Sequence, residues 1–97
     1  MFPSSFKYAD IPEISRFFGI IIKMFFHDHV PPHFHAEFGE YRAMISIASG
    51  EVIEGAMPSR QLKLIQAWAI LHEEELLDNF NGLRTLPAKW HVIAPLK

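Results

Sequence analysis

Four of the six histidines in this chain fall within one short segment, His27-Asp28-His29-Val30-Pro31-Pro32-His33-Phe34-His35. The segment carries two H-x-H pairs. On an extended strand, residues i and i+2 project to one side, so each pair can converge on a single ligand. If residues 30–32 form the loop of an antiparallel hairpin, His29 lies opposite His33 and His27 lies opposite His35. Cβ atoms opposed in this way are about 4.5–5.5 Å apart, which lets imidazoles share a metal at roughly 2.0–2.1 Å from each nitrogen. The metal-ligand candidates are therefore His29, His33 and His35, with His27 as a fourth. The cofactor they imply is a divalent transition metal such as zinc. Asp28 or Glu37 can complete or orient the shell. Three ligands and an open position would activate a water, whereas four would close a structural site, and spacing leaves both readings open.

Histidine chemistry does not require a metal. An imidazole titrates near pH ~6.5, so His33 and His35 are also candidate catalytic acid–base residues. Arg16, Glu37 and Arg42 are candidate binding residues around them. With an arginine to hold an anion, the reaction class becomes phosphodiester cleavage. The plainer alternative is a polar sheet face beside a rigid proline turn, because a double proline can scatter the four rings.

The remaining polar residues read as structural. His72 sits on an apolar helical stripe with Ile65, Trp68, Ala69 and Leu76, where a histidine with satisfied hydrogen bonds is the expected occupant. Trp68 belongs to the same core stripe. Glu73-Glu74-Glu75 point in three directions and form a solvated face rather than one site. His91 has no partner that the sequence identifies.

These residues must be positioned by a sheet and a helix. Residues 19–26, rich in β-branched and aromatic types, predict a strand that Val30-Pro31-Pro32 interrupts. Residues 33–38 resume as a strand, Gly39-Glu40 turns, and residues 41–47 form a third strand. A short fourth strand covers 52–54, with Val52 and Ile53 each able to face the core. Alternation assigns Ile20, Ile22, Met24, Phe26, Phe34, Ala36 and Phe38 to the core face, and the histidines, Lys23 and Glu37 to the other. The same register places Arg42 opposite Glu37, Met44 opposite His35 and Ser46 opposite His33.

After Pro58 the period changes. Pro58 suits a first helical turn and Ser59 can cap it. Apolar residues at helical spacing then run to Phe80, and Asn81-Gly82 is a stop signal. One helix over 59–80, roughly 30 Å long at 1.5 Å per residue, is expected to cover the core face. Residues 1–10 read as an arm or edge segment, and residues 89–95 as a short strand or an irregular cover. The expected fold is α+β: a small antiparallel sheet of three to four strands, as a hairpin or meander, covered on one face by one long C-terminal helix. It occupies a single domain over 1–97.

Composition narrows the classes. Hydrophobic residues make up 49% and charged residues 21%, which suits a packed globule rather than a disordered chain. The chain has no cysteine, which excludes disulfides, thiolate metal sites and a cysteine nucleophile. A formal net charge of −2 counts against a dedicated nucleic-acid binder, although six histidines can reverse the sign in mild acid. The longest apolar run, 17–22, is far shorter than the about 20 residues that span a bilayer. No basic leader is evident at the N-terminus, so a cytoplasmic protein without a membrane segment is expected.

The string Pro12-Glu13-Ile14-Ser15-Arg16-Phe17-Phe18-Gly19-Ile20, followed by Asp28-His29-Val30-Pro31-Pro32-His33-Phe34-His35-Ala36, resembles a family of small bacterial proteins known only as a domain of unknown function. Gly50-Glu51-Val52-Ile53-Glu54-Gly55 and the Trp68…His72…Glu75-Leu76 pattern continue the likeness. The resemblance spans a core of about 12–80, leaving 1–11 as an extension and 81–97 as a tail. His27 departs from the family pattern, which favours His29, His33 and His35 as the functional set. The resemblance implies a compact α+β domain in a prokaryotic cytoplasm. It also implies a protein partner encoded nearby, in a toxin–antitoxin-type pair, and self-association into a homo-oligomer fits such a regulator. Three functions follow: a partner-binding regulator, a metal-dependent or histidine-based hydrolase acting on RNA or a similar substrate, and a non-catalytic metal-binding module.

Overall fold

A computed structural model of the protein describes residues 11–97. The arm expected at residues 1–10 lies outside them. Five strands run in chain order, β1 (Glu13–Phe17), β2 (Ile20–Lys23), β3 (His33–Phe38), β4 (Tyr41–Ser46) and β5 (Val52–Gly55). Two helices follow, α1 (Ser59–Leu71) and α2 (Glu73–Gly82). The strands form one antiparallel meander in the order β1-β2-β3-β4-β5. Among the described residues the sheet thus has five strands rather than three to four.

The extra strand is β1, which lies in a stretch where the sequence pattern predicts no element. Phe17 pairs with Ile20, and the intervening Phe18 and Gly19 both take positive φ, 49° and 78°. That is the mirror-image two-residue turn whose twist matches a hairpin. Its usual marker is a polar residue before glycine, whereas here an exposed phenylalanine fills the position. The hydrophobic pattern therefore runs straight through the turn, and nothing in it marks where β1 ends and β2 begins.

β2 also ends earlier than expected, at Lys23. Lys23 pairs with His35 and Ile22 with Ala36, so neither His27 nor His29 faces a histidine across a hairpin. Residues 24–32 are a loop. It is anchored where the Met24 N–H donates to the Pro12 carbonyl at 3.2 Å and the His27 N–H to the Leu83 carbonyl at 3.2 Å. Farther along, the register matches alternation: Glu37 pairs with Arg42, His35 with Met44 and His33 with Ser46. Val52 pairs with Ile45 and packs against the core while Ile53 is exposed, which settles the fourth-strand ambiguity in favour of Val52.

The core lies between the sheet and the helices. Ile20, Ile22, Met24, Phe34 and Ala36 are buried as alternation requires, and β1 adds Ile14 and Phe17. Phe26 is exposed instead, because it sits in the loop rather than on the strand that alternation assumed. Trp68 centres the helical side, its ring 5.2 Å from Phe17 and 5.9 Å from Phe34. Burying a side chain such as Phe34 contributes roughly 1.5–3 kcal/mol.

The single helix expected over 59–80 is broken at His72, whose φ of −124° and ψ of 27° leave the helical region. Glu73, Glu74 and Glu75 then open α2, where carboxylates favour the positive end of the helix dipole. The periodicity hid this break because Ile65, Trp68, Leu76 and Phe80 all reach the same core from both helices. Pro58 stands just before α1 as its cap position, and Ser59 is the first helical residue rather than the cap. The tail is an irregular cover. Ile93 is buried with its N–H donating to the Ile14 carbonyl at 2.9 Å, and Trp68 Nε1 donates to the Ala94 carbonyl at 2.8 Å. Among the described residues, no helix is long and apolar enough to cross a membrane.

Candidate metal centre

The loop of residues 24–32 and the start of β3 bring one carboxylate and two imidazoles to a point. His33 is the first residue of β3 and is only 1% exposed. Its Nδ1 lies 2.7 Å from the Pro31 carbonyl oxygen. A carbonyl can only accept, so Nδ1 carries the proton and donates. His33 Nε2 then faces Asp28 Oδ2 at 2.8 Å, and His35 Nε2 lies 3.2 Å from the same oxygen. The donor atoms of Asp28, His33 and His35 all lie within 4.8 Å of one another.

Packing holds each ring. The His33 ring lies 5.7 Å from that of Phe80 on α2, and Phe25 stacks on His35 at 4.1 Å with the planes 14° apart. The His33 and His35 rings meet edge to face at 5.1 Å. Asp28 Oδ1, the other carboxylate oxygen, accepts the His29 N–H at 3.0 Å.

Electrostatics favour an ionised carboxylate beside a neutral imidazole. Burial works against ionisation of Asp28. Hydrogen bonds from His35 and the His29 N–H, with the positive charge that His33 and His35 carry when protonated, outweigh it and hold the carboxyl below its ordinary range. Burial pushes His35 below the ordinary imidazole value, more than its contact with Asp28 raises it. At Asp28 Oδ2 the hydrogen bond from His35 Nε2 and a bound cation are alternatives.

The candidate residues divide accordingly. His33 and His35 come together. Asp28, expected to complete or orient the shell, stands between them, and it does so from a loop where alternation does not apply. The His29 side chain is 77% exposed, with Nδ1 at 3.3 Å from Asp28 Oδ1, on the far oxygen from the other two rings. His27 is exposed, with a positive φ of 54°, and does not join the grouped donor atoms. Glu37 pairs with Lys23 at 3.1 Å and more loosely with Arg42 at 3.8 Å. Arg16 is away from the centre on β1, bound to Glu13 at 2.7 Å.

Next to His35, a groove of about 240 Å³ opens on the sheet, walled by Phe25, His35, Glu37, Arg42, Met44 and Glu54. A second polar cluster lies elsewhere. His72 Nδ1 is 2.6 Å from Glu75 Oε1, and Glu75 Oε2 is 3.3 Å from His91 Nε2. His72 has the partner expected of it, three residues on. Glu75 is thus not merely part of a solvated face, and His91 has a partner that only the folded tail supplies.

A family model described as "Domain of unknown function (DUF4160)" matches residues 19–81, more than half of the chain. The chain belongs to the DUF4160 family. Neither a curated protein nor a solved structure matches it. The DUF4160 span includes Asp28, His33, His35 and every residue walling the groove, and it stops before His91.

Proposed function

We propose that Asp28, His33 and His35 hold a divalent transition metal, zinc being the ion their chemistry suits, and that the centre is hydrolytic. The observation that carries this reading is the orientation of His33. With the Nδ1 proton committed to Pro31, a bare Nε2 lone pair 2.8 Å from an ionised carboxylate is repulsive unless a cation joins them. That cation is either a second proton or a metal ion. The second arrangement is the one in which a metal-ligating histidine donates its other ring N–H to a backbone carbonyl. A metal would also take His35 as a ligand, its Nε2 being 3.2 Å from the same oxygen, in place of the hydrogen bond that a neutral ring donates there.

The spacing fits. A tetrahedral ion with bonds of about 2.0–2.1 Å holds its ligand atoms roughly 3.3 Å apart, so the observed 2.8 and 3.2 Å need widen only slightly. Two histidines and one carboxylate leave a coordination position for a water whose pKa the ion would lower towards 7. The toxin–antitoxin setting suggested by the family resemblance belongs to the same proposal, with the hydrolase as the activity that a partner restrains.

Elemental analysis of tag-free protein is the test. About one equivalent of zinc, lost in a His33→Ala/His35→Ala double variant that keeps its circular dichroism, supports the centre. No metal after incubation with zinc, nickel and manganese overturns it. Metal held without turnover would select the non-catalytic binding module.

A further inference from the structure

The groove beside the centre lies on the face of the sheet that the helices leave open. Alternation puts His35 and Glu37 of β3 on that face, with Arg42 and Met44 of β4 and Glu54 of β5. Met44 pairs with His35 on one side and with Glu54 on the other, and Arg42 pairs with Glu37. The row of Arg42 is two residues from that of His35, about 7 Å along the strand, a span that an arginine side chain can close.

Charge on this face depends on the ion. Without it, the carboxylates of Asp28, Glu37 and Glu54 outnumber Lys23 and Arg42. A divalent cation at Asp28 turns the balance positive. Glu37 is already engaged by Lys23 at 3.1 Å, whereas Arg42 touches it only at 3.8 Å and is 75% exposed. A planar guanidinium in that position is suited to a phosphate, which it can grip with two parallel N–H bonds. The groove also has apolar surface. Phe25 is exposed while one face stacks on His35, and Met44 adds apolar surface between His35 and Glu54.

We infer that the groove receives a nucleotide, its phosphate between the metal centre and Arg42 and its base against Phe25, an assignment that rests on the metal-centre reading above. The positive pole appears only when the ion is bound, so nucleotide affinity is metal-dependent. The ring surface reads a base without choosing among bases, since every base has a stacking face. A free nucleotide and a single strand present the same phosphate and base, and the two sources separate by length.

The test is calorimetry on zinc-loaded protein dialysed free of excess metal, with AMP, adenosine, inorganic phosphate and a short oligoadenylate as probes. AMP is expected to bind at least about tenfold more tightly than adenosine or phosphate, and to lose that affinity when the zinc is removed. Arg42→Ala is expected to weaken AMP about tenfold or more, and Arg42→Lys to restore only part of it, with zinc content as in the parent protein. Tighter binding of oligoadenylate than of AMP assigns the groove to a nucleic-acid strand, and equal binding assigns it to a free nucleotide. Zinc bound normally while AMP binds no better than adenosine or phosphate, or while Arg42→Ala leaves AMP unchanged, overturns this inference alone. Failure to bind zinc overturns the centre and the inference together.

Discussion

Asp28 Oδ2 and His33 Nε2 meet at 2.8 Å, although Asp28 lies in a loop and His33 begins a strand. The contact is possible because the loop doubles back through Pro31, whose carbonyl orients the other edge of the same imidazole at 2.7 Å. Backbone and carboxylate thus grip one ring from both nitrogens, with Phe80 beside it. A histidine this buried contributes through orientation, and its neighbours decide which atom it presents.

Asp28 and His29 are therefore not interchangeable. Asp28→Asn keeps the shape but removes the anionic oxygen shared by both rings. It is expected to cost at least the roughly 10–100-fold in zinc affinity that changes to supporting groups produce. His29→Ala removes a side chain that is 77% exposed and is expected to change affinity by less than about threefold. Competition against a chromophoric chelator measures both. Equal losses in the two variants would make His29 a ligand and remove the distinction.

Asn79 is buried in α2 and closes on the backbone of His91, donating from Nδ2 to its carbonyl at 2.8 Å and accepting its N–H on Oδ1 at 3.0 Å. Asn79→Ala leaves both backbone groups unpaired and is expected to cost about 1–3 kcal/mol. Hydrogen exchange should show faster exchange at residues 89–94 first, while the amides of β3 and β4 stay protected. Uniform acceleration across the sheet would mean that the tail does not open as a local unit.

Glu75 gives a pH dependence. Hydrogen bonding from His72, and then from His91, holds its carboxyl below the ordinary 4.5 despite slight burial. Around and below pH 4.5 the folded chain therefore binds fewer protons than the unfolded chain. The stabilisation is full above 4.5 and fades as pH falls through the folded value. Because the group is exposed, the expected loss in Glu75→Gln is small, about 0.2–1 kcal/mol at pH 6. The gap between the melting temperatures of parent and variant should be full above pH 4.5 and narrow steadily as the pH falls below it. A gap that stays constant as the pH falls would assign the loss to packing rather than charge.

Local pattern was enough to read the α+β class, the core face of β3 and the β3–β4 register, because alternation and the Gly39-Glu40 turn depend on near neighbours. It was also enough to single out the histidine segment, since residue types and spacing need no fold to be seen. Wherever packing overrode local pattern, only the tertiary structure decided. Phe18 accepts a left-handed turn within an apolar run, and the helical period continues across the break at His72 because both helices cover one core. Asp28 joins His33 and His35 through a loop held by Leu83, and His91 finds Glu75 once Asn79 and Trp68 fasten the tail. Those contacts link residues far apart in the chain, and periodicity carries no information about where a loop or a tail returns.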